Sequence, residues 1–77
     1  MKNEFRTKDL YEAAYLVSAN LPLLKLEKAD TYFVFVFSEK SKCEAYSSNY
    51  WSGFAVGKIK DFADALKILK ERLFAKK

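Results

Sequence analysis

The run Thr31–Phe37 constrains the fold more than any other part of the chain. It is the most apolar run in the sequence, and almost every residue in it is aromatic or β-branched. Such side chains fit a pleated, half-buried surface, so the run predicts the central strand of a small sheet. In a chain of 77 residues, the flanking segments have to cover that strand. The sequence therefore predicts a single domain over residues 1–77, built around this strand.

A second strand is expected just before the apolar run. Residues 23–28 alternate between apolar and charged side chains, which is typical of a half-buried strand. The turn is expected at Ala29–Asp30, which would place Leu26 opposite Phe33 in an antiparallel hairpin. A slip of one residue would turn lysine and glutamate side chains into the core, so burial is expected to fix the register.

Two further segments show the apolar periodicity of amphipathic helices. The first runs from Lys8 to about Asn20, with Thr7 as the expected N-cap and Pro22 preventing its continuation. The second runs from about Lys60 to Ala75 and is rich in good helix formers.

The segment between the hairpin and the last helix is ambiguous. Residues 43–52 have helical spacing and are followed by Gly53, which favours a helix capped at Ser41 or Ser38. Alternation over the first of these residues also fits a third strand. The apolar piece Phe54–Val56 is either a short edge strand or an extended connector.

These elements predict an α+β domain in the order α-β-β-α-(β)-α. A small antiparallel β-hairpin, with a short third strand as an option, would be covered by three helices. The residues expected in the core are Leu10, Ala14, Val17, Leu24, Leu26, Phe33, Phe35, Phe37, Phe62, Leu66, Leu69 and Leu73.

The residue inventory argues against catalysis. The chain has a single cysteine, Cys43, and no histidine, so it lacks an internal disulfide, a structural zinc set and the commonest general base. Cys43 is expected to be a small core residue. Asp61 and Asp64 fit a helix N-terminus better than a cation site. We predict no enzyme activity, no cofactor and no metal, and the absence of an apolar leader or long apolar run predicts a cytoplasmic protein without membrane contact.

Side chains left over from the predicted core suggest a partner surface. The net charge of +4 comes mostly from lysine. The leading hypothesis is a non-enzymatic module that forms a homo-oligomer or binds a protein partner. The alternative is a weak, sequence-tolerant binder of single-stranded nucleic acid, in which rings stack on bases and lysines meet phosphates. The residues proposed for this surface are Tyr32, Val34, Val36, Tyr50, Trp51, Lys58 and Lys60.

Three motifs extend over nearly the whole chain. They are the run F-R-T-K-D-L-Y-E-A-A-Y-L at Phe5–Leu16, the run N-Y-W-S-G at Asn49–Gly53, and F-x-x-A-L at Phe62–Leu66. This set resembles a small bacterial family classed as a domain of unknown function. The resemblance implies the same succession of a capped helix, a hairpin, a Tyr-Trp-x-Gly helix end and a C-terminal amphipathic helix, and it implies no activity.

Overall fold

The computed structural model describes residues 3–76. Three strands and three helices occur in this part of the chain, which confirms the α+β class with a hairpin and helices. In chain order they are β1 (Phe5–Thr7), α1 (Leu10–Ser18), β2 (Leu23–Ala29), β3 (Tyr32–Phe37), α2 (Lys40–Ser52) and α3 (Ile59–Lys76).

The strands form one antiparallel sheet in the order β1-β3-β2, so the apolar run is the central strand as predicted. The third strand is β1, before the first helix, and of the two alternatives for Phe54–Val56 the structure has the connector and not the edge strand. In β1, Phe5 lies opposite Phe37 and packs against the core, which fixes the N-terminal segment to the sheet edge. Phe54 points to solvent instead and contributes no such anchor.

The hairpin register differs from the predicted one by two residues. Leu26 pairs with Phe35, and the turn falls at Asp30 and Thr31. Asp30 has a φ of 42°, a left-handed conformation that aspartate tolerates better than most residues. Because the shift is even, it leaves Leu26 on the same face as the phenylalanines, as predicted.

An irregularity at the start of β2 corrects the core prediction for Leu24. The pairing shifts between Leu23, opposite Phe37, and Lys25, opposite Val36. The extra residue of this β-bulge is Leu24, which is 50% exposed. Leu23 packs against the core in its place.

Two predicted helix caps are replaced by others. Asp9, rather than Thr7, caps α1, since the Asp9 side chain accepts a hydrogen bond from the Glu12 backbone N–H at 2.8 Å. The segment 43–52 is helical, and α2 begins after Glu39 in a left-handed conformation, so neither predicted serine caps it. Gly53 ends α2 at a φ of 86°, as its position predicted.

Helix α1 lies at the centre of the core. It contacts α2, α3 and β1, and five consecutive residues from Glu12 to Leu16 are buried, which is wider than one amphipathic face. Tyr15 and Leu16 are therefore core residues that the periodicity did not predict. The buried hydrophobic cluster consists of Ala13, Ala14, Tyr15, Leu16, Leu21, Leu26, Phe35, Phe37, Cys43, Ala65 and Leu69. Phe33 is only half-buried, and the remaining predicted core residues other than Leu24 pack around this cluster.

Candidate functional site

A buried carboxylate joins β1, α1 and α2. Glu12 is 4% exposed and accepts hydrogen bonds from three side chains. The Thr7 hydroxyl donates to Oε1 at 2.6 Å, the Trp51 indole N–H donates to Oε2 at 2.9 Å, and the Ser47 hydroxyl donates to the same oxygen. Within residues 3–76, no salt bridge involves Glu12. The donors therefore supply the compensation that a buried carboxylate needs.

Local structure explains why these donors meet at Glu12. Ser47 and Trp51 are four residues apart on α2, so they lie on the same face of that helix. Thr7 ends β1, and its hydroxyl also accepts the Asp9 backbone N–H at 3.1 Å. Thr7 is therefore not the helix cap that the sequence predicted: it ends β1 and bonds to Glu12 instead.

Trp51 is the side chain that this network presents to solvent. The indole is 62% exposed although its N–H is held by the buried carboxylate. Its ring also meets Tyr50 edge to face, with centroids 5.0 Å apart and an interplanar angle of 86°. A hydrogen bond and a ring contact restrict the indole, so the exposed ring is held in a defined orientation.

Tyr50 connects the exposed ring to the core. It stacks on the buried Tyr15 with centroids 5.7 Å apart, and Tyr15 also contacts Tyr46 at 6.0 Å. Burial raises the pKa of the Tyr50 phenol, and the nearby Asp9, Glu12 and Tyr11 raise this pKa further. Carboxylates therefore lie beside this aromatic cluster, although the net charge of the whole chain is +4.

A second exposed surface follows Trp51 in the chain, and we call it the connector surface. It consists of Phe54, Val56 and Ile59, which are 75%, 83% and 86% exposed. The last two also line a groove of about 250 Å³ together with Tyr50 and Phe62. The helical spacing of the apolar residues predicts that Ile59 lies in the buried face of α3 and that Phe54 helps to cover the phenylalanines of β3. Both expectations are wrong, because α3 packs mainly on α1 and leaves its first residue in solvent.

The sheet face opposite the core carries charged side chains. Arg6 forms salt bridges with Glu4 and Glu27, and Lys25 pairs with Glu27 at 2.9 Å. Because Arg6 and Lys25 flank Val36 in the ladder, their side chains lie beside it, and Val36 is completely buried. Val36 is therefore inaccessible to a partner, which corrects its place in the predicted surface.

The other predicted surface residues fall into two groups. Tyr32 and Val34 lie on the charged sheet face, where the Lys8 ammonium sits 5.1 Å from the centre of the Tyr32 ring. Tyr50 and Lys58 line the groove, with Trp51 and Lys60 next to them in sequence. The structure thus does not combine the two groups into one surface. Lys60 pairs with Asp64 at 3.0 Å, and Asp64, like Asp61, is exposed.

Glu12 is the residue that sequence reasoning missed. As a glutamate in the first turn of a helix it fits the helix dipole, so nothing marks it as buried. A usable signal was the position of Glu12 directly before Ala13 and Ala14, because small residues allow a second element to pack closely. The partner signal was the four-residue spacing of Ser47 and Trp51 on α2.

Residues 2–75 match a family model described as DUF5659, a domain of unknown function. The chain belongs to the DUF5659 family. This confirms the resemblance inferred from the motifs. Comparison with curated proteins and with solved structures found no match. Within residues 3–76 of this DUF5659 chain, no helix is both long and apolar enough to cross a membrane.

Cys43 of this DUF5659 chain is buried, as predicted, and its thiol donates to the Ser38 carbonyl at 3.3 Å. Burial raises the pKa of the thiol above its ordinary 9.0, and Glu39 and Glu12 add to this effect. We therefore expect reaction with a thiol reagent at neutral pH to be at least about 100-fold slower in the folded protein than in urea, because labelling requires local opening.

The raised pKa of Cys43 also predicts how stability changes with pH. As pH rises through 9.0, the thiol ionises in the unfolded chain while the buried thiol keeps its proton, so stability decreases. Urea titrations at several pH values between about 8 and about 10 bracket the ordinary pKa of 9.0. The free energy of unfolding should decrease more steeply with pH in the native protein than in Cys43→Ala. Equal slopes would contradict the prediction.

Proposed function

We propose that this protein is a non-enzymatic interaction module that binds a second copy of itself through the connector surface. The observation that carries the proposal is the exposure of Phe54, Val56 and Ile59, three large apolar side chains within six residues. Leaving such side chains in water forgoes about 1.5–3 kcal/mol for each one that could be buried. Clustered exposure of this kind is characteristic of interaction sites.

Shape supports a second copy as the occupant. The protruding Phe54 lies in the same short segment as Val56 and Ile59, which line the groove. In a two-fold interface every contact occurs twice, because the same surface of both copies takes part. An exposed side chain beside a groove can therefore be self-complementary. Phe54 of one copy would enter the groove of the other.

Charge is compatible with the same arrangement. Lys58 and Asp61 are exposed at the start of α3, close to Ile59 in the chain. Neither takes part in a salt bridge within the described part of the chain. Exposed opposite charges beside an apolar centre can meet reciprocally across a two-fold axis, which would help to fix the pairing.

The test is sedimentation equilibrium over a wide range of protein concentration. A small apolar interface predicts a weak dimer, with a dissociation constant on the order of micromolar or above. Phe54→Ser combined with Ile59→Ser should leave only monomer, because both variants remove apolar contact area. Leu24→Ser is the matched control, since Leu24 is equally a large exposed residue but lies in β2. A native protein that stays monomeric at its highest attainable concentration would contradict the proposal.

The nucleic-acid alternative stays a prediction, and local charge gives it less support. At the adjoining rings of Trp51 and Tyr50, Glu12 bonds to the indole and Asp9 lies near the phenol, so carboxylates stand where a base would stack. On the sheet face that carries Tyr32, Arg6 and Lys25 already pair with glutamates. Both arrangements are less suited to phosphates than a surface of unpaired cations would be.

A further inference from the structure

We propose that the exposed face of the Trp51 indole, beside Tyr50, binds a lysine or arginine side chain of a protein partner. This site lies next to the connector surface but does not depend on self-association. It rests on the restricted orientation of an exposed ring and on the sign of the charges around it.

The orientation comes from the Glu12 network. The indole N–H bonds to a carboxylate that is itself bound by Thr7 and Ser47, and the indole meets the Tyr50 ring at nearly a right angle. Each contact reduces the freedom that the ring would lose on binding, so less conformational entropy opposes association. At the same time, 62% of the side chain remains open to solvent.

The charges select a cation. A hydrogen bond from the indole N–H to an anionic acceptor raises the electron density of the ring and strengthens its attraction for a positive charge. Aromatic faces bind ammonium and guanidinium groups through this attraction, and tryptophan binds them best. Asp9 adds a second carboxylate, close enough to Tyr50 to help raise the pKa of its phenol.

The same chain already shows the contact that is proposed, on another surface. The Lys8 ammonium lies 5.1 Å from the centre of the Tyr32 ring. Trp51 has the larger and more electron-rich ring, and no cation over it is recorded among residues 3–76. The exposed position of Trp51, its ring type and the charge around it therefore all suit a cation from another molecule.

Trp51 is the only tryptophan of the chain and provides its own probe. We would titrate the full chain with trilysine amide, and with triglutamate as the matched control, and follow both Trp51 fluorescence and the indole N–H resonance. We expect saturable binding of trilysine with a dissociation constant of about 1–10 mM, weakened by added salt. Triglutamate should produce no saturable change.

Two substitutions test the role of the carboxylates. Asp9→Asn removes a charge but keeps a good helix cap, and it should weaken trilysine binding by roughly threefold. Glu12→Gln should weaken it more, and circular dichroism would establish whether that variant folds. Glu27→Gln, on the opposite sheet face, is the control and should bind trilysine like the native protein.

Several outcomes would overturn the proposal. They are equal responses to trilysine and triglutamate, a native-like affinity in Asp9→Asn, or saturable quenching by a thymidine oligonucleotide in place of trilysine. A change in the Trp51 signal that follows protein concentration alone would assign the ring to the interface between copies. A native protein that stays monomeric but still binds trilysine would contradict the proposed function and leave this site standing.

Discussion

Replacing Phe35 by alanine is expected to remove a large share of the protein's free energy of unfolding. Phe35 lies in the central strand between Thr7 and Leu26 and is one of the largest fully buried side chains. Removing a buried phenylalanine costs about 3–5 kcal/mol through lost burial and the cavity left behind. A chain of 77 residues has a total stability of roughly 4–11 kcal/mol, so this loss removes a large share of it.

Phe33→Ala is the matched control for this prediction. Phe33 has the same side chain and lies in the same strand, but it is only half-buried near the turn. We expect it to cost less than half as much as Phe35→Ala in urea denaturation followed by circular dichroism. Equal losses for the two variants would mean that the core is not centred where the structure places it.

Replacing Glu12 by alanine should be the most damaging change at a polar position. It leaves the Thr7, Ser47 and Trp51 donors without their common acceptor and opens a space between α1 and α2. Because the donors can partly turn to water, we expect a loss of about 2–4 kcal/mol. Trp51 fluorescence should also shift, since the ring loses the bond that orients it.

Glu27→Ala tests whether burial is the cause. Glu27 is also a glutamate with several partners, but its salt bridges lie on the solvent-facing side of the sheet. Exposed ion pairs contribute little, so we expect a loss below about 1 kcal/mol. A double-mutant cycle of Glu12→Ala with Ser47→Ala would measure the coupling between the two residues. We expect the double variant to lose clearly less stability than the sum of the two single losses. Independent, additive losses would show that the network does not act as a unit.

Helix α2 depends on tertiary contacts for its conformation. Segment Ser47–Trp51 of α2 has poor intrinsic helix propensity. Its helical conformation is stabilised from outside, by the Glu12 hydrogen bonds and by the contact of Tyr50 with Tyr15. Variants at Glu12 should therefore reduce the order of α2 before that of the sheet.

The candidate site was partly accessible to prediction. Trp51 was expected to reach a partner because it falls off the periodic face of its helix, and it is exposed. The role of Glu12 was not predicted, because an exposed glutamate in the first turn of a helix is already explained by its interaction with the helix dipole. The exposure of Phe54 and Ile59 also escaped prediction, since periodicity identifies apolar residues without saying whether another element reaches them.

Elements with local signals are predictable from the chain alone. The β-branched and aromatic run defines β3, Asn20 and Pro22 end α1, and Gly53 ends α2. The pairing of β1 with β3, the bulge at Leu24 and the burial of Glu12 arise from the three-dimensional packing. These features depend on which segments meet in space, and residues far apart in the chain carry no local mark of the partner that will cover them.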